Sequence, residues 1–214
     1  MILNPAARTI VCFGDSNTHG HPADDSHDGR WPADQRWTGQ LQAQLGPGYR
    51  VIEEGLNSRT TDLDYAAGED KPGRNGRAYL LPCLHSHAPV GTLVLMLGTN
   101  DLKLPFGRTA ADIAAAIGGL IDDAKAAGVP DILVLAPIPI DPSQAGYEIW
   151  AREVYGDAAA SPFLAAEIEA VALGRGVRFA DAGTVAGPGD DGVHLTGGSH
   201  ARLATLVATL VKAA

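Results

Sequence analysis

The chain has 214 residues, of which 45% are hydrophobic and 19% are charged, as is typical of a globular protein. This length is sufficient for one domain with a well-buried core, so we expect residues 1–214 to form a single domain. The formal net charge of −9 argues against nucleic acid or an anionic membrane surface as a partner, because both require clustered Lys and Arg.

Two further features bear on location and on metal binding. Residues 1–5 lack the basic and apolar regions of a secretory signal, and no apolar run approaches the length that spans a membrane. These features predict a cytoplasmic protein without a membrane partner. Cys12 and Cys83 lie outside any C-x-x-C or metal-ligand pattern, so we interpret both as small buried hydrophobes.

The first predicted element is a strand over residues 9–13, a short apolar run rich in β-branched side chains. The run ends abruptly at Gly14, Asp15 and Ser16, which places the serine at the end of a predicted strand. In open α/β sheets, ligands bind at the carboxyl ends of the strands. Because Asp15 and Ser16 are also good helix N-caps, a strand-to-helix turn without chemistry is the alternative.

The rest of the chain alternates between predicted helices and strands. After a polar loop over residues 19–35, the predicted strands cover residues 49–55, 92–97, 131–136 and 177–180. The predicted helices cover residues 38–45, 79–84, 161–173 and 196–211, and a long helix runs from a cap at Thr109 to a stop at Gly128. This alternation predicts a three-layer α/β/α domain with a five-stranded parallel sheet.

Residues 138–160 hold a concentration of aromatic side chains in a chain that contains only 6% of them. Tyr147, Trp150 and Tyr155 lie within these residues. The segment is interpreted as a lid, one wall of a pocket or a subunit contact. Burial of these side chains against their own domain is the alternative.

Polar side chains follow several of the predicted strands. Ser16, Gly55 and Asn100 each lie where a strand ends, and the ends of parallel strands share one edge of a sheet. Asp191 and His194, three residues apart in the loop before the last helix, can hydrogen-bond to each other. We therefore expect these five residues to lie close together.

The chemistry that these residue types allow is acyl transfer through a serine. A serine hydroxyl needs an adjacent base, so we expect His194 to take the proton of Ser16, and Asp191 to hold the imidazole tautomer. The negative oxygen of the tetrahedral intermediate needs hydrogen-bond donors. The expected donors are the backbone N–H groups of Ser16 and Gly55 and the side-chain amide of Asn100.

Four short blocks occur in order between the first strand and the last helix: Phe13-Gly14-Asp15-Ser16, Gly55, Gly98-Thr99-Asn100-Asp101 and Asp191-x-x-His194. Together they resemble the GDSL family, also called SGNH hydrolases after the Ser, Gly, Asn and His of its blocks. Residues 53–61, with residues 36–39, are similar to a narrower group of bacterial arylesterases that includes the mycobacterial acyltransferase. The resemblance covers essentially the whole chain.

The resemblance implies a flavodoxin-like fold and cofactor-free hydrolysis of short-chain esters, including aryl esters, through an acyl-serine. It also implies some acyl transfer to alcohols or hydrogen peroxide, and a homo-oligomer whose subunits wall the pocket. One departure is Asn17, because the family name expects leucine after the serine. We expect this difference to affect packing behind the nucleophile.

Other substrates and another class of function remain open. The same residues would serve a carbohydrate acetylesterase, a thioesterase or a lysophospholipase. A more distant alternative is a flavodoxin-like module that binds an anionic or nucleotide ligand. Against this alternative, the first loop contains neither G-x-G-x-x-G nor the Walker pattern.

Several other polar residues are alternatives for the same site. Asp181 is a second possible partner for His194, whereas Asp101 is expected to brace the turn at Asn100, and His200 to be solvated. The loop before residue 30 carries further potential metal ligands: His19, His21, His27, Asp24, Asp25 and Asp28. Their spacing matches no known ligand set, so we expect a solvated loop and neither a metal nor a cofactor.

Overall fold

The structure, a computed structural model, describes residues 4–24 and 26–213. Its strands are β1 (Arg8–Gly14), β2 (Tyr49–Gly55), β3 (Thr92–Met96), β4 (Ile132–Ala136) and β5 (Arg178–Asp181). They form one parallel sheet in the order β2-β1-β3-β4-β5. This is the order of flavodoxin-like sheets, and it confirms the predicted fold class.

The described residues contain seven α-helices: α1 (Ser16–His19), α2 (Trp37–Leu45), α3 (Gly76–Ser86), α4 (Ala110–Ala126), α5 (Ala151–Tyr155), α6 (Leu164–Gly174) and α7 (Gly197–Lys212). The predicted cap of α4 is present, because the Thr109 side chain accepts from the backbone N–H of Asp112 and the Asp112 carboxylate accepts in return. None of these helices is long and apolar enough to cross a membrane.

Two hydrophobic layers cover the sheet. Along β1, Ile10 and Cys12 pack with α2 and α7, whereas Val11 and Phe13 pack with α3, α4 and α6. This alternation follows from the period of two in a strand. Every residue of β3 is buried, as its continuously apolar sequence predicts for a strand covered on both faces.

Two predicted features differ from the structure. Helix α3 begins at Gly76, three residues before the predicted start, because the Asn75 side chain caps it by accepting from the backbone N–H of Ala78. His200 is fully buried rather than solvated, since its Nδ1 accepts from the backbone N–H of Trp37 where α7 packs against α2.

The aromatic residues of the segment 138–160 divide between two environments. Tyr147 and Tyr155 are 0% and 4% exposed, so they are buried within their own domain. Trp150 is only partly buried and lines a cavity at the carboxyl edge of the sheet, together with Tyr155. The segment is therefore both part of the core and one wall of a pocket.

Candidate active site

The nucleophile candidate lies in a tight turn between β1 and α1. A Cβ atom at Gly14 would overlap with the side chain of Thr18, so the turn requires glycine here. Asp15 then caps α1, because its Oδ1 accepts from the backbone N–H of Asn17 at 2.9 Å. Ser16 is the first residue of α1 and is 7% exposed.

A chain of hydrogen bonds joins three of the predicted residues. His194 Nε2 lies 3.0 Å from Ser16 Oγ, and His194 Nδ1 lies 2.5 Å from Asp191 Oδ2. The other carboxylate oxygen of Asp191 accepts from the backbone N–H groups of Val193 and His194, at 2.8 and 2.9 Å. The structure thus brings together two ends of the chain that are 178 residues apart in sequence.

This arrangement determines which imidazole nitrogen carries the proton. A carboxylate is an acceptor only, so Nδ1 donates to Asp191 and Nε2 is left to accept from the Ser16 hydroxyl. A serine in this position can lose its proton to the imidazole as it attacks a carbonyl carbon. All three side chains are at least nine-tenths buried, which keeps water from competing for these hydrogen bonds.

Asn17 supports the histidine in a way that its sequence position did not indicate. Its Nδ2 donates to the backbone oxygen of Val193 at 3.2 Å, and its Oδ1 accepts from the backbone N–H of Leu195 at 2.9 Å. These two groups flank His194. Asn17 therefore ties the loop that carries the histidine directly to the helix that carries Ser16, a role that leucine cannot fill.

We expect Asn17→Leu to lower kcat by about 10- to 100-fold with little change in KM, because a misplaced base costs rate more than binding. The loss arises through His194, so Asn17→Leu should cost nothing further in a His194→Ala background. The measurement is a double-mutant cycle: steady-state kinetics of wild type, the two single variants and the double variant. Thermal unfolding shows whether each protein is folded. An equal loss in both backgrounds would show that Asn17 does not act through the histidine.

Asn100 lies in the same cavity as Ser16, as predicted. It is 3% exposed and begins a short 3-10 helix, Asn100–Leu102. Its Nδ2 donates one hydrogen to the backbone oxygen of Arg59 at 3.1 Å. Because an amide NH₂ group has two hydrogens, the second can be donated to a ligand.

Gly55, one of the expected oxyanion donors, does not line this cavity. The glycine lies at the end of β2 beneath α1, where a Cβ would overlap with the backbone of Thr18 and His19. Ser58, three residues further on, lines the cavity and has a φ of +64°, in the region that favours glycine. In the described part of the chain, the backbone N–H groups of Ser16 and Ser58 have no acceptor.

Arg59 holds the loop that carries Ser58. It is 2% exposed, and its Nη1 donates to the backbone oxygens of Gly14 and Glu54, which lie near the ends of β1 and β2. Its guanidinium lies 4.2 Å from the centre of the Phe13 ring. The sequence offered Arg59 only as part of a resemblance, since a buried arginine cannot be recognised from its neighbours in sequence.

Asp101 braces a different segment from the one expected. Both of its oxygens accept from Thr61, through the backbone N–H and the hydroxyl, and Arg108 Nη1 lies 3.3 Å from Oδ1. Burial raises the pKa of this carboxyl to about 6. Asp101 therefore fixes the loop after Arg59 rather than the turn of its own neighbour Asn100.

The cavity around Ser16 has a volume of about 540 Å³, within the range of small-molecule sites. The Trp150 ring stacks on the His194 ring at a centroid distance of 5.9 Å, and the edge of His21 meets it at 4.6 Å. The remaining side chains of the cavity are mostly polar, with one aliphatic and one aromatic residue among them: Asn57, Ser58, Asn100, Lys103, Ile149 and Tyr155. The His194 ring thus contacts two other rings.

Burial shifts the pKa values of two charged groups near the serine. The pKa of Asp15 is raised to about 6, and Asp15 Oδ2 has no hydrogen-bond partner among the described residues. Burial lowers the pKa of the Lys103 ammonium to about 8, although Lys103 Nζ bonds to Tyr65 Oη at 3.0 Å. The cavity therefore loses a positive charge as the pH rises through about 8.

The remaining candidates do not join this site, apart from one histidine. Asp181 caps a 3-10 helix, Ala182–Thr184, by accepting from the backbone N–H of Gly183, and is not a partner of His194. His21 lines the cavity, but the loop histidines form no metal-ligand cluster among residues 4–24 and 26–213. Asp25, an acidic residue of the same loop, lies outside the described residues.

Comparison with known proteins gives the family. The sequence profile of the GDSL-like Lipase/Acylhydrolase family matches residues 12–202. A search of curated proteins found no match.

Solved structures similar to this chain include enzymes from three bacteria. An aryl esterase from M. smegmatis is 37% identical over 97% of this chain and 99% of its own, with a TM-score of 0.89. A carbohydrate acetylesterase from Sinorhizobium meliloti is 37% identical over 96% of this chain and 99% of its own, also with a TM-score of 0.89. A putative arylesterase from Agrobacterium tumefaciens is 34% identical over 96% of this chain and 99% of its own, with a TM-score of 0.81. The chain belongs to the GDSL-like lipase/acylhydrolase family and is an ester hydrolase of the GDSL type.

Proposed function

We propose that the protein is a cofactor-free serine esterase that hydrolyses short-chain carboxylic esters, including aryl esters, through an acyl-serine at Ser16. The observation that carries this proposal is the buried hydrogen-bond chain from Ser16 through His194 to Asp191, which ends in a cavity of about 540 Å³. Relatives whose names include aryl esterase and carbohydrate acetylesterase support the choice of small esters.

The first half of the reaction acylates the serine. Ser16 Oγ attacks the ester carbonyl carbon while His194 Nε2 takes the hydroxyl proton, and the carbonyl oxygen becomes negative. The resulting imidazolium is stabilised by the Asp191 carboxylate. His194 then gives the proton to the leaving oxygen as its bond to carbon breaks, which releases the alcohol and leaves the acyl group on Ser16.

The oxyanion is stabilised by three donors in this proposal. They are the backbone N–H groups of Ser16 and Ser58 and the second N–H of the Asn100 amide. Each such donor contributes about 2.7–4 kcal/mol where one has been removed from a serine hydrolase. Arg59 keeps two of the three in place, because its own backbone adjoins Ser58 and its oxygen holds Asn100.

The second half of the reaction removes the acyl group. Water attacks the acyl carbon and gives its proton to His194, and the proton passes to Ser16 Oγ as the acid leaves. An alcohol or hydrogen peroxide in place of water gives a new ester or a peracid. The two rings against His194 favour these acceptors to the extent that they keep water out.

The expected homo-oligomer stays a prediction. Ile149 lines the cavity and is nevertheless 79% exposed, and Leu104 is 58% exposed close to Gly156, at the end of α5. A second subunit that covered these side chains would wall the pocket. These exposed apolar side chains beside the cavity support the expectation of a homo-oligomer.

The substrate class can be tested with a panel of acyl donors. We expect 4-nitrophenyl acetate and butyrate to be hydrolysed with a higher kcat/KM than the octanoate, since a cavity of this volume holds a short acyl chain together with an aryl leaving group. An acetylated sugar belongs in the panel, because the S. meliloti relatives are described as carbohydrate acetylesterases. A higher kcat/KM on the sugar would favour that second function.

Two controls make the panel decisive. Each donor is also incubated with Ser16→Ala, so that hydrolysis by surface nucleophiles is subtracted. Added alcohol is assayed for formation of a new ester, which separates transfer from hydrolysis. Failure of wild type to hydrolyse any of the carboxylic esters above the Ser16→Ala background would contradict the proposal.

A further inference from the structure

A second cluster of reactive side chains lies outside the cavity, between β2 and α3. Glu54 is the residue of β2 before Gly55, and Cys83 and His87 are four residues apart at the C-terminal end of α3. That spacing puts the thiol and the imidazole on the same face of the helix. One ligand atom from each of the three residues lies within 4.8 Å of the other two.

Hydrogen bonds already hold the side chains of this cluster close together. His87 Nε2 lies 2.7 Å from Glu54 Oε1, and the Tyr79 hydroxyl donates to Glu54 Oε2 at 3.3 Å. Cys83 is fully buried, whereas the side chains of Glu54 and His87 are 17% and 21% exposed. The cluster therefore has a buried sulfur and an open side through which an ion can enter.

We propose that Glu54, Cys83 and His87 bind a divalent transition-metal ion, with zinc as the ion of best fit. One sulfur, one imidazole nitrogen and one carboxylate oxygen are all ligands of zinc, whereas magnesium and calcium prefer oxygen ligands alone. Water completes the tetrahedron on the exposed side.

The geometry requires only a small adjustment. Zinc–ligand bonds of about 2.0–2.3 Å place the ligands of a tetrahedral site about 3.3–3.8 Å apart. The atoms here lie within 4.8 Å of one another, so they have to approach by up to about 1.5 Å, and we expect rotations of the Glu54 and His87 side chains to provide this. The hydrogen bond between these two side chains is replaced by bonds from each of them to the ion.

The charges of the neighbourhood set the strength of binding. Burial raises the pKa of the Cys83 thiol to about 12, so the ion has to displace the thiol proton to solvent. Glu54 and the resulting thiolate then supply two negative charges against the two positive charges of the ion. The Arg59 guanidinium lies nearby, 5.3 Å from the centre of the Tyr79 ring, and repels a cation. Three protein ligands and one opposing cation indicate a weaker site than a four-cysteine zinc site.

An ion here would tie the edge strand β2 to α3. Its ligand Glu54 immediately precedes Gly55 and the loop that carries Ser58 and Arg59, and Arg59 donates to the Glu54 backbone oxygen. A bound ion thus steadies the edge of the sheet from which the proposed oxyanion loop extends. The proposed metal site takes no part in the chemistry at Ser16, so its test is independent of the test of the esterase proposal.

Cobalt(II) provides a direct optical test. Metal-free protein, prepared with a chelator and kept reduced, is titrated with Co²⁺ alone. We expect one equivalent to bind, with a thiolate-to-cobalt charge-transfer band in the near ultraviolet and intense visible bands of tetrahedral cobalt. Added Zn²⁺ should displace the cobalt and remove both signals.

Matched variants assign the ligands. Cys83→Ser should lose the charge-transfer band, and Cys12→Ser, which alters the other buried cysteine, should keep it. His87→Gln should weaken cobalt binding at least tenfold, and His85→Gln, which alters an exposed histidine on the same helix, should not. Glu54→Gln should weaken binding while retaining the band, and circular dichroism establishes that each variant is folded.

Three results would overturn the proposal. They are the absence of tetrahedral cobalt bands in wild type, retention of the charge-transfer band in Cys83→Ser, and an equal loss of affinity in His85→Gln and His87→Gln. The last of these would show that exposed histidines bind the ion adventitiously.

Discussion

Ser16→Ala is expected to lower kcat/KM for 4-nitrophenyl acetate by about 10⁴-fold or more, the loss typical of removing a nucleophile from a serine–histidine–carboxylate arrangement. The methyl group cannot form an acyl-enzyme, and His194 Nε2 loses the hydroxyl that lies 3.0 Å away. A residual rate above that in water remains, because the oxyanion donors still bind the substrate carbonyl. Initial rates with a chromogenic ester measure the effect.

The matched control for this variant is Ser58→Ala. Ser58 lines the same cavity, but the substitution removes only its hydroxyl and leaves the backbone N–H that we assign to the oxyanion. We expect a change of no more than a few-fold. If Ser58→Ala inactivated the enzyme and Ser16→Ala did not, the assignment of the nucleophile would be wrong.

Asp191→Asn is expected to lower kcat by about 10⁴-fold while the fold and the KM stay close to those of wild type. The asparagine oxygen can keep the hydrogen bonds from the backbone N–H groups of Val193 and His194. Its NH₂ group then faces His194 Nδ1, which has to become an acceptor. The proton moves to Nε2, and the imidazole can no longer accept from Ser16.

Asp190→Asn provides the control for this change. Asp190 is the preceding residue and is exposed, so the variant removes the same charge from the same loop without touching His194. Its kcat should stay within about twofold of wild type. An Asp191→Asn enzyme with full kcat, or a loss shared equally by Asp190→Asn, would mean that Asp191 does not orient the base.

Most of the fold could be predicted because the sequence signals were local. A pattern within a few residues predicts each of three elements: the continuously apolar β3, the Thr109 cap of α4 and the glycine-terminated β1. Boundaries were less certain where a cap was not recognised, as at Asn75 before α3. The burial of His200 depended on the packing of α7 against α2, which no local pattern records.

The candidate site was predicted in part for the same reason. Ser16, Asp191, His194 and Asn100 lie at strand ends or in loops beside the sheet, so the topology of a parallel sheet brings them together. The glycine that ends β2 favoured Gly55 as a donor. A serine at φ +64° cannot be recognised from its sequence, which concealed Ser58.

Contacts between distant segments account for the rest. Asn17 and the backbone on both sides of His194 are 176 to 178 residues apart, so their hydrogen bonds follow only from the fold. The same holds for Glu54, which lies 33 residues before His87. Neither cysteine showed a ligand pattern, because the carboxylate of the proposed metal site comes from another element of the structure.

The central claim is that Ser16, activated by His194, forms the covalent intermediate. A fluorophosphonate, which reacts with activated serines and is not released, tests it most directly by intact mass and peptide mapping. We predict one adduct per chain on Ser16 in wild type, none in Ser16→Ala, and labelling slowed by at least a hundredfold in His194→Ala. An adduct on another residue, or labelling of Ser16 that is equally fast without the histidine, would contradict the account.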